Sequence, residues 1–386
     1  MKHSLTYWVV AATTLLLASP LAAQQQEDPA VSMPLKPAVA AHGPVSAKMK
    51  PEIEAQLKTI RAEGTKKKHA FEVGYTKAME QKPAKLCATK RPKAVNAAAV
   101  EAQENNNAAM QSKIQTELKA DNITIQAPEA GAVSAGQSRW WVPSWLSPVK
   151  NQGSCGSCWA FAACAAFEHG HKKFYGTTPD LSEQNIVDCG RTGSGLDAGS
   201  CEEGGWSDRA FDYLRCYGTA NESVKPYVGV DEACVRVSKK HYAYHWGQLY
   251  PNRFPNRNEI KRAIRNYGAV VTYMKAGLSS FYAYKSGVYN DYANTDETDI
   301  DHAVTIVGWS DQYNAWIIKN SWGTDWGYGG YAYVDYDNCN IAKYIYYVMP
   351  RHSHGRISTA APVAAGSGGA EKPITMDKSP IIDASN

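Results

Sequence analysis

Three stretches of this sequence carry side chains that can make and break covalent bonds. In Gln152-Gly153-Ser154-Cys155-Gly156-Ser157-Cys158 two cysteines stand three apart among small residues, and the apolar run Trp159 to Glu168 follows at once. That run has no proline or internal glycine, so 153–157 reads as a tight loop and Cys158 as a first-turn residue of a buried helix. A thiol there lies near unpaired backbone N–H groups and the positive end of the helix dipole, which favours the nucleophilic thiolate. Asp301-His302-Ala303-Val304 puts an imidazole at the mouth of a strand, where it can serve as the base that a cysteine nucleophile needs. Ile318-Lys319-Asn320-Ser321-Trp322 puts an amide at the end of the next strand. That amide can accept from the imidazole N–H and fix its tautomer, with Trp322 covering the bond. Blander readings stand beside this one. The cysteines could be structural, a redox pair or half of a zinc site, although no second C-x-x-C exists. A histidine at a strand start is often simply a satisfied core residue.

The elements that must hold these groups follow from the pattern. The chain has 386 residues and a formal charge of +4, which argues against nucleic-acid binding as its purpose. Its 23 tyrosines and 11 tryptophans concentrate after residue 139. Helices are expected over Pro51–Glu63 (Ile53, Leu57 and Ile60 in register), Val95–Lys119, Cys158–Lys173, after the cap Ser182, over Trp206–Tyr217 and over Asn256–Tyr267. Strands are expected over Phe71–Tyr75, Ala269–Met274, His302–Trp309, Ala315–Lys319 and Gly330–Tyr336. Helices first and strands second give an α+β class with a helical lobe and a β-rich lobe. A basic start, a short apolar core and Pro20-Leu21-Ala22-Ala23 read as a signal peptide over 1–23. That reading predicts export, to a secreted or periplasmic location or a lysosome-like compartment in a eukaryote, and disulfides with it. No stretch is long enough to span a membrane. The tail 351–386 is low in complexity and expected to be disordered.

The strings QGSCGSCWAF, DHAV, IIKNSWG and WGYGGY, in this order, resemble the papain and cathepsin family of cysteine proteases over about residues 139–350. The first contains the family's C-G-[SA]-C-[WY] signature, and the 144 residues from Cys158 to His302 fit the family's spacing. The resemblance implies a two-lobed papain-like fold with the site in the cleft between lobes. It makes Cys158 the nucleophile, His302 its base, Asn320 the orienting amide and Gln152 an oxyanion donor. The reaction implied is hydrolysis of peptide bonds through an acyl-enzyme, with no cofactor and no metal. The protein is then expected to be a monomer acting on protein or peptide substrates.

The resemblance also pairs Cys155 with Cys201 and Cys189 with Cys234. Cys164 and Cys216, on two helices of one lobe, form a third bridge or stay as two free thiols. Cys339 matches a bridged family position whose partner is missing here. By alignment Gly204 and Gly205 let a substrate backbone approach. The S2 pocket is then lined by Trp206, Ser207, Tyr273 and Ile300, with Tyr344 at its base, and should be apolar and shallow. Residues 24–138 hold the place of an inhibitory propeptide and linker before the catalytic domain at 139–350. They do not match the interrupted E…R…F…N…I…N pattern of cathepsin L-like propeptides, and an interaction module is the alternative. The loop from Asn290 to Ile300 carries four acids and no base, so it could draw basic substrates to the cleft rim. Two other readings use the same scaffold: a thiol acyltransferase and a catalytically silent binding or virulence factor.

Overall fold

Helix α1, Pro51–Lys67, starts on a proline, with Glu52 and Glu54 at its positive end and Lys66 and Lys67 at its negative end. Those lysines favour its last turn, and the helix runs one turn past Glu63. It ends at Lys68, in the left-handed region at φ 54. Ile53, Leu57 and Ile60 are buried as their spacing predicts. The computed structural model describes residues 50–89, 140–190, 198–250, 253–292 and 299–351. All of them belong to one compact unit that begins at Leu35. The expected signal peptide, the Val95–Lys119 helix, the linker and the tail beyond Arg351 lie outside the described residues.

After α1 come β1 (Phe71–Val73), a 3-10 turn (Lys77–Glu80) and α2 (Pro83–Leu86). From residue 140 the order is β2 (Trp140–Trp141), α3 (Cys158–Tyr175), α4 (Glu183–Cys189), β3 (Gly199–Ser200), β4 (Gly204–Gly205) and α5 (Ser207–Cys216). The second half adds β5 (Ala243–Gln248), α6 (Arg257–Tyr267), β6 (Val270–Met274), α7 (Ser279–Tyr282) and β7 (Tyr284–Tyr289). It closes with β8 (His302–Ser310), β9 (Ala315–Lys319), β10 (Tyr331–Asp335) and β11 (Ile345–Pro350).

Among the described residues nine strands form one sheet in the order β1-β7-β10-β9-β8-β6-β11-β5, with β2 added beside β8. β7 and β10 run parallel, and the other pairs are antiparallel. Helix α3 lies across β8 and β11, buried from Cys158 to Gly170. Two large cores result. One joins α3, α4 and α5 to Val271, Tyr273 and Ala303 on the sheet. The other joins Ile53, Leu57, Phe71 and Leu86 of the first segment to Phe281, Tyr284, Trp322 and Trp326. Residues 50–89 are therefore built into the same body as the rest. Their strand β1 completes the sheet at the edge of β7, with Phe71 opposite Gly287.

Candidate active site

The loop ahead of α3 is fixed before any chemistry is considered. Gly153 turns at φ 56, a conformation that costs glycine nothing. The disulfide Cys155–Cys201 anchors the loop to the strand pair β3–β4, and Gln152 N–H donates to Ser321 O at 2.8 Å. Cys158 is then the first residue of α3 and fully buried. The N-cap Ser157 makes no side-chain cap bond, while its carbonyl accepts from the Ala160 N–H at 2.9 Å.

His302 begins β8 opposite Met274, and Asn320 follows the last residue of β9. The antiparallel register brings them together: His302 Nε2 and Asn320 Oδ1 are 2.8 Å apart and buried. Trp322 covers the pair with its ring 4.8 Å from the imidazole. The bond to Asn320 leaves the other ring nitrogen, Nδ1, for Cys158. Burial alone pushes the Cys158 thiol up. The His302 charge and hydrogen bond, the Thr89 hydroxyl and the Ala303 N–H together outweigh that and leave it below its ordinary value. Burial likewise disfavours His302 imidazolium, but the Cys158 thiolate and Asn320 raise its pKa above the usual 6.5. Each group favours the charged form of the other.

The cleft is occupied by the chain itself. Thr89 Oγ1 lies 3.4 Å from Cys158 Sγ, and Thr89 N–H donates to Asp301 O at 3.0 Å. Gly205 N–H donates to Ala88 O at 3.1 Å. A Cβ on Gly204 would come within 1.6 Å of that same oxygen, so this crossing requires glycine. The Gln152 amide donates to Cys155 O at 2.9 Å and to Lys85 O and Leu86 O at 3.2 Å each, while Ser321 Oγ donates to its Oε1 at 2.6 Å.

Around the expected S2 pocket, Trp206 stacks on Tyr273 with rings 3.6 Å apart and 13° from parallel. Ser207 N–H holds the Tyr273 hydroxyl at 2.9 Å, and Tyr344 meets the Trp206 ring edge-on. Ile300 is buried beside the same cluster. These side chains pack against one another in a single aromatic cluster.

Behind Asn320 and Ser321 a cavity of about 20 Å³, room for about one water, is lined by Lys150, Glu168, Glu183 and Lys319. Lys150 Nζ lies 2.9 Å from Glu183, 2.8 Å from Asp180 and 3.4 Å from Glu168. Burial lowers the Lys319 pKa to about 8, with the Lys150 charge adding to the effect against the attraction of Glu168 and Glu183.

Cys155–Cys201 and Cys189–Cys234 are bonded. The possible third bridge is absent: Cys164 and Cys216 are free thiols. Cys164 is wholly buried beside Lys150 and Glu183, whereas Cys216 sits partly exposed at the end of α5 beside Asp212 and Arg215. Helical periodicity placed both in one lobe without showing which way each points. Cys339 is buried and free, and Cys87 accepts from the Tyr282 hydroxyl at 3.7 Å. Burial lowers the buried His169 to about 3, and the part-buried His241 and buried His245 to about 4 each. In the acidic loop, Asp291 pairs with Lys67 and His69, and Asp299 with Lys275. Two of its four charges are thus already answered within the chain, while 293–298 lie outside the described residues.

A buried thiol, an imidazole held by an amide and a neighbouring amide donor, set where helices meet a sheet, define a cysteine–histidine nucleophilic centre. Residues 137–349 match the papain family of cysteine proteases, and the chain belongs to that family. It is similar to cathepsin K of Mus musculus, 38% identical over 216 residues covering 55% of this chain and 63% of the relative. It is also similar to human cathepsin L2, 36% identical over 53% of this chain and 62% of the relative. The match thus spans less than two thirds of these curated relatives. Among solved structures, one from a study of the mite allergens Blo t 1 and Der p 1 superposes with a TM-score of 0.59 at 26% identity, over 77% of this chain and 90% of the other. The digestive procathepsin L 3 of Tenebrio molitor shares the fold at 24% identity, with a TM-score of 0.56 over 77% of this chain and 88% of its own. The architecture is papain-like α+β.

Among the described residues no helix is long and apolar enough to cross a membrane. Thr89, Ser321 and the Lys150 cluster were not foreseen. Ser321 lies within the IIKNSWG string, but Thr89 and Ala88 carry no mark beyond small size.

Proposed function

We propose that this chain is the precursor of an exported cysteine endopeptidase. In it Cys158, His302, Asn320 and Gln152 carry the reaction and residues 50–89 hold the cleft closed. The observation that carries the reading is the 2.8 Å bond between His302 and Asn320 beside a buried Cys158 that is biased towards thiolate. The Cys158 sulfur attacks the carbonyl carbon of a peptide bond, and the oxygen takes up negative charge. Gln152 Nε2 and the Cys158 N–H are the donors for that charge. His302 gives its proton to the leaving nitrogen, the C–N bond breaks, and a thioester remains. Water, losing a proton to His302, releases the acid and restores the thiolate.

The precursor reading is supported by the carbonyls of Lys85 and Leu86 on the Gln152 amide and by Thr89 against Cys158. While they are there, the donor and the nucleophile face the chain's own backbone. The fold likeness to a procathepsin over 77% of this chain, beyond the span of the family match, points the same way. A signal at 1–23, a propeptide with linker at 24–138, the catalytic domain at 139–350 and a tail at 351–386 make up this reading. Two disulfides accord with an oxidising destination.

Replacing Cys158 by alanine in the full chain tests it. Peptide hydrolysis and labelling by iodoacetamide at the site should both vanish, and the precursor should persist uncut where maturation depends on its own activity. Substantial hydrolysis by the purified variant would sink the assignment. An added amine that appears in the product of the parent enzyme would make the reaction acyl transfer instead.

A further inference from the structure

Tyr227 stands on the irregular stretch after α5, and three contacts fix that stretch. Ser182 Oγ donates to Lys225 O at 2.5 Å, and Gln184 Oε1 accepts from Val228 N–H at 3.0 Å. Glu222 accepts from the Tyr227 N–H itself at 2.7 Å. The ring is half-buried and edge-on to Phe161, 4.8 Å away on the first turn of α3. Its hydroxyl reaches two residues at once. It donates to Gln152 O at 2.8 Å and lies 2.7 Å from Ser157 Oγ. A phenol has one proton, and Gln152 takes it, so the Ser157 hydroxyl must be the donor in the second bond.

Ser157, at the N-cap, makes no side-chain cap bond, and its hydroxyl is turned to Tyr227. Burial raises the Tyr227 pKa, which keeps the phenol protonated across the range where a peptidase works. Gln152 is thus clamped on both sides, by Ser321 O through its N–H and by Tyr227 through its carbonyl.

We propose that Tyr227 is a positioning residue for the oxyanion donors. Its hydroxyl ties the backbone of Gln152 to the residue preceding Cys158, and so sets the separation between the Gln152 amide and the Cys158 N–H. This rests on the roles given above to Cys158 and Gln152. The Tyr227 hydroxyl bonds Gln152 and Ser157, and it acts by holding two donors where charge develops. Neither of these two bonds reaches His302 or Asn320, so the reactivity of the thiolate–imidazolium pair can be read separately from the placing of the donors.

The test uses Tyr227→Phe in the full-length chain, processed by the same added protease as the parent. A peptide aldehyde, whose carbonyl carbon takes the Cys158 sulfur and whose oxygen then occupies the oxyanion position, reports on the donors. Iodoacetamide alkylation of Cys158 reports on the ion pair alone. The expected result is a fall in kcat of about tenfold and aldehyde binding weaker by about the same factor. KM and the alkylation rate should stay within about twofold of the parent. Unchanged kcat and aldehyde binding would overturn the proposal, and so would a parallel loss of alkylation, which would mean general loosening. Ser157→Ala keeps the bond to Gln152 and should lose less than Tyr227→Phe; a larger loss would move the role from Tyr227 to Ser157. If Cys158→Ala still hydrolyses peptides, the reading of the site fails and this inference with it; if Cys158→Ala is inactive while Tyr227→Phe matches the parent, this inference alone fails.

Discussion

The two walls of the cleft are held by different means. The wall that carries Cys158 and Gln152 is a loop, a helix start and a two-residue strand pair, with little ladder to brace it. Two disulfides take that task, Cys155–Cys201 across 46 residues and Cys189–Cys234 across 45. The wall that carries His302 and Asn320 is the middle of a nine-stranded sheet, and among the described residues no disulfide touches it. Its side chains are placed by register and by packed rings such as Trp322 against Phe281, Tyr282 and Trp326. Where regular hydrogen bonding is scarce, geometry is secured covalently; where the ladder is continuous, aromatic packing suffices.

The largest break in that contrast should come from replacing Cys155 and Cys201 together by serine. Closing a loop of 46 residues contributes about 4 kcal/mol by the chain-entropy estimate. A urea titration should show a loss near that size, and hydrolysis should fall with it. A loss under about 1 kcal/mol would mean that packing around Cys201 holds this wall without the bond.

On the other wall, Asn320→Ala removes the acceptor of the His302 N–H but leaves the ladder intact. A bond to a charged partner is worth roughly 1.5–3 kcal/mol, so kcat/KM should fall about ten- to hundredfold with little change in stability. His302→Ala should cost more, since the base itself is then gone. The pH profile gives a sharper readout. The proposed mechanism needs thiolate and imidazolium together, so its acid limb should follow the lowered Cys158 and its alkaline limb the raised His302. Asn320 is among the groups that raise His302, and its loss should move the alkaline limb to lower pH while the acid limb stays. An unmoved alkaline limb would show that Asn320 fixes orientation only.

The smallest effect concerns substrate choice, where the walls meet at Trp206 and Tyr273. Because Tyr273 lies flat on Trp206 and Tyr344 only meets its edge, Tyr273→Ala should widen the P2 preference towards large aromatic residues more than Tyr344→Ala does. The change should be roughly 1–3 kcal/mol in relative kcat/KM, read from a peptide library. Equal profiles for both variants would place the pocket elsewhere.

The two walls also differ in how plainly the sequence announces them. The Ile53, Leu57 and Ile60 spacing, the Ser182 cap and the strands around His302 and Asn320 each produce the element they predict. The helix expected from Trp206 starts at Ser207, since Trp206 itself is extended and stacked on Tyr273. Strand β5 escapes notice because its buried positions are Ala243, His245 and Gly247, which alternate in burial but not in hydrophobicity. Strand β11 is buried at every one of its positions, so it shows no period of two. Least legible is the crossing at Ala88 and Thr89. Its contacts are mostly backbone, and backbone bonds leave little trace in residue type.

Strand β1 has a consequence in the test tube and in storage. While Phe71–Val73 lie on β7, that strand is paired on both sides and the shelf beneath Ile53, Leu57 and Phe71 is dry. Cutting residues 50–89 away turns Tyr284–Tyr289 into an open rim with unpaired peptide groups beside exposed rings. The shortened protein then becomes a better nucleus for edge-to-edge association than its parent, and its shelf life should shorten as its concentration rises. The uncut chain is the form to concentrate.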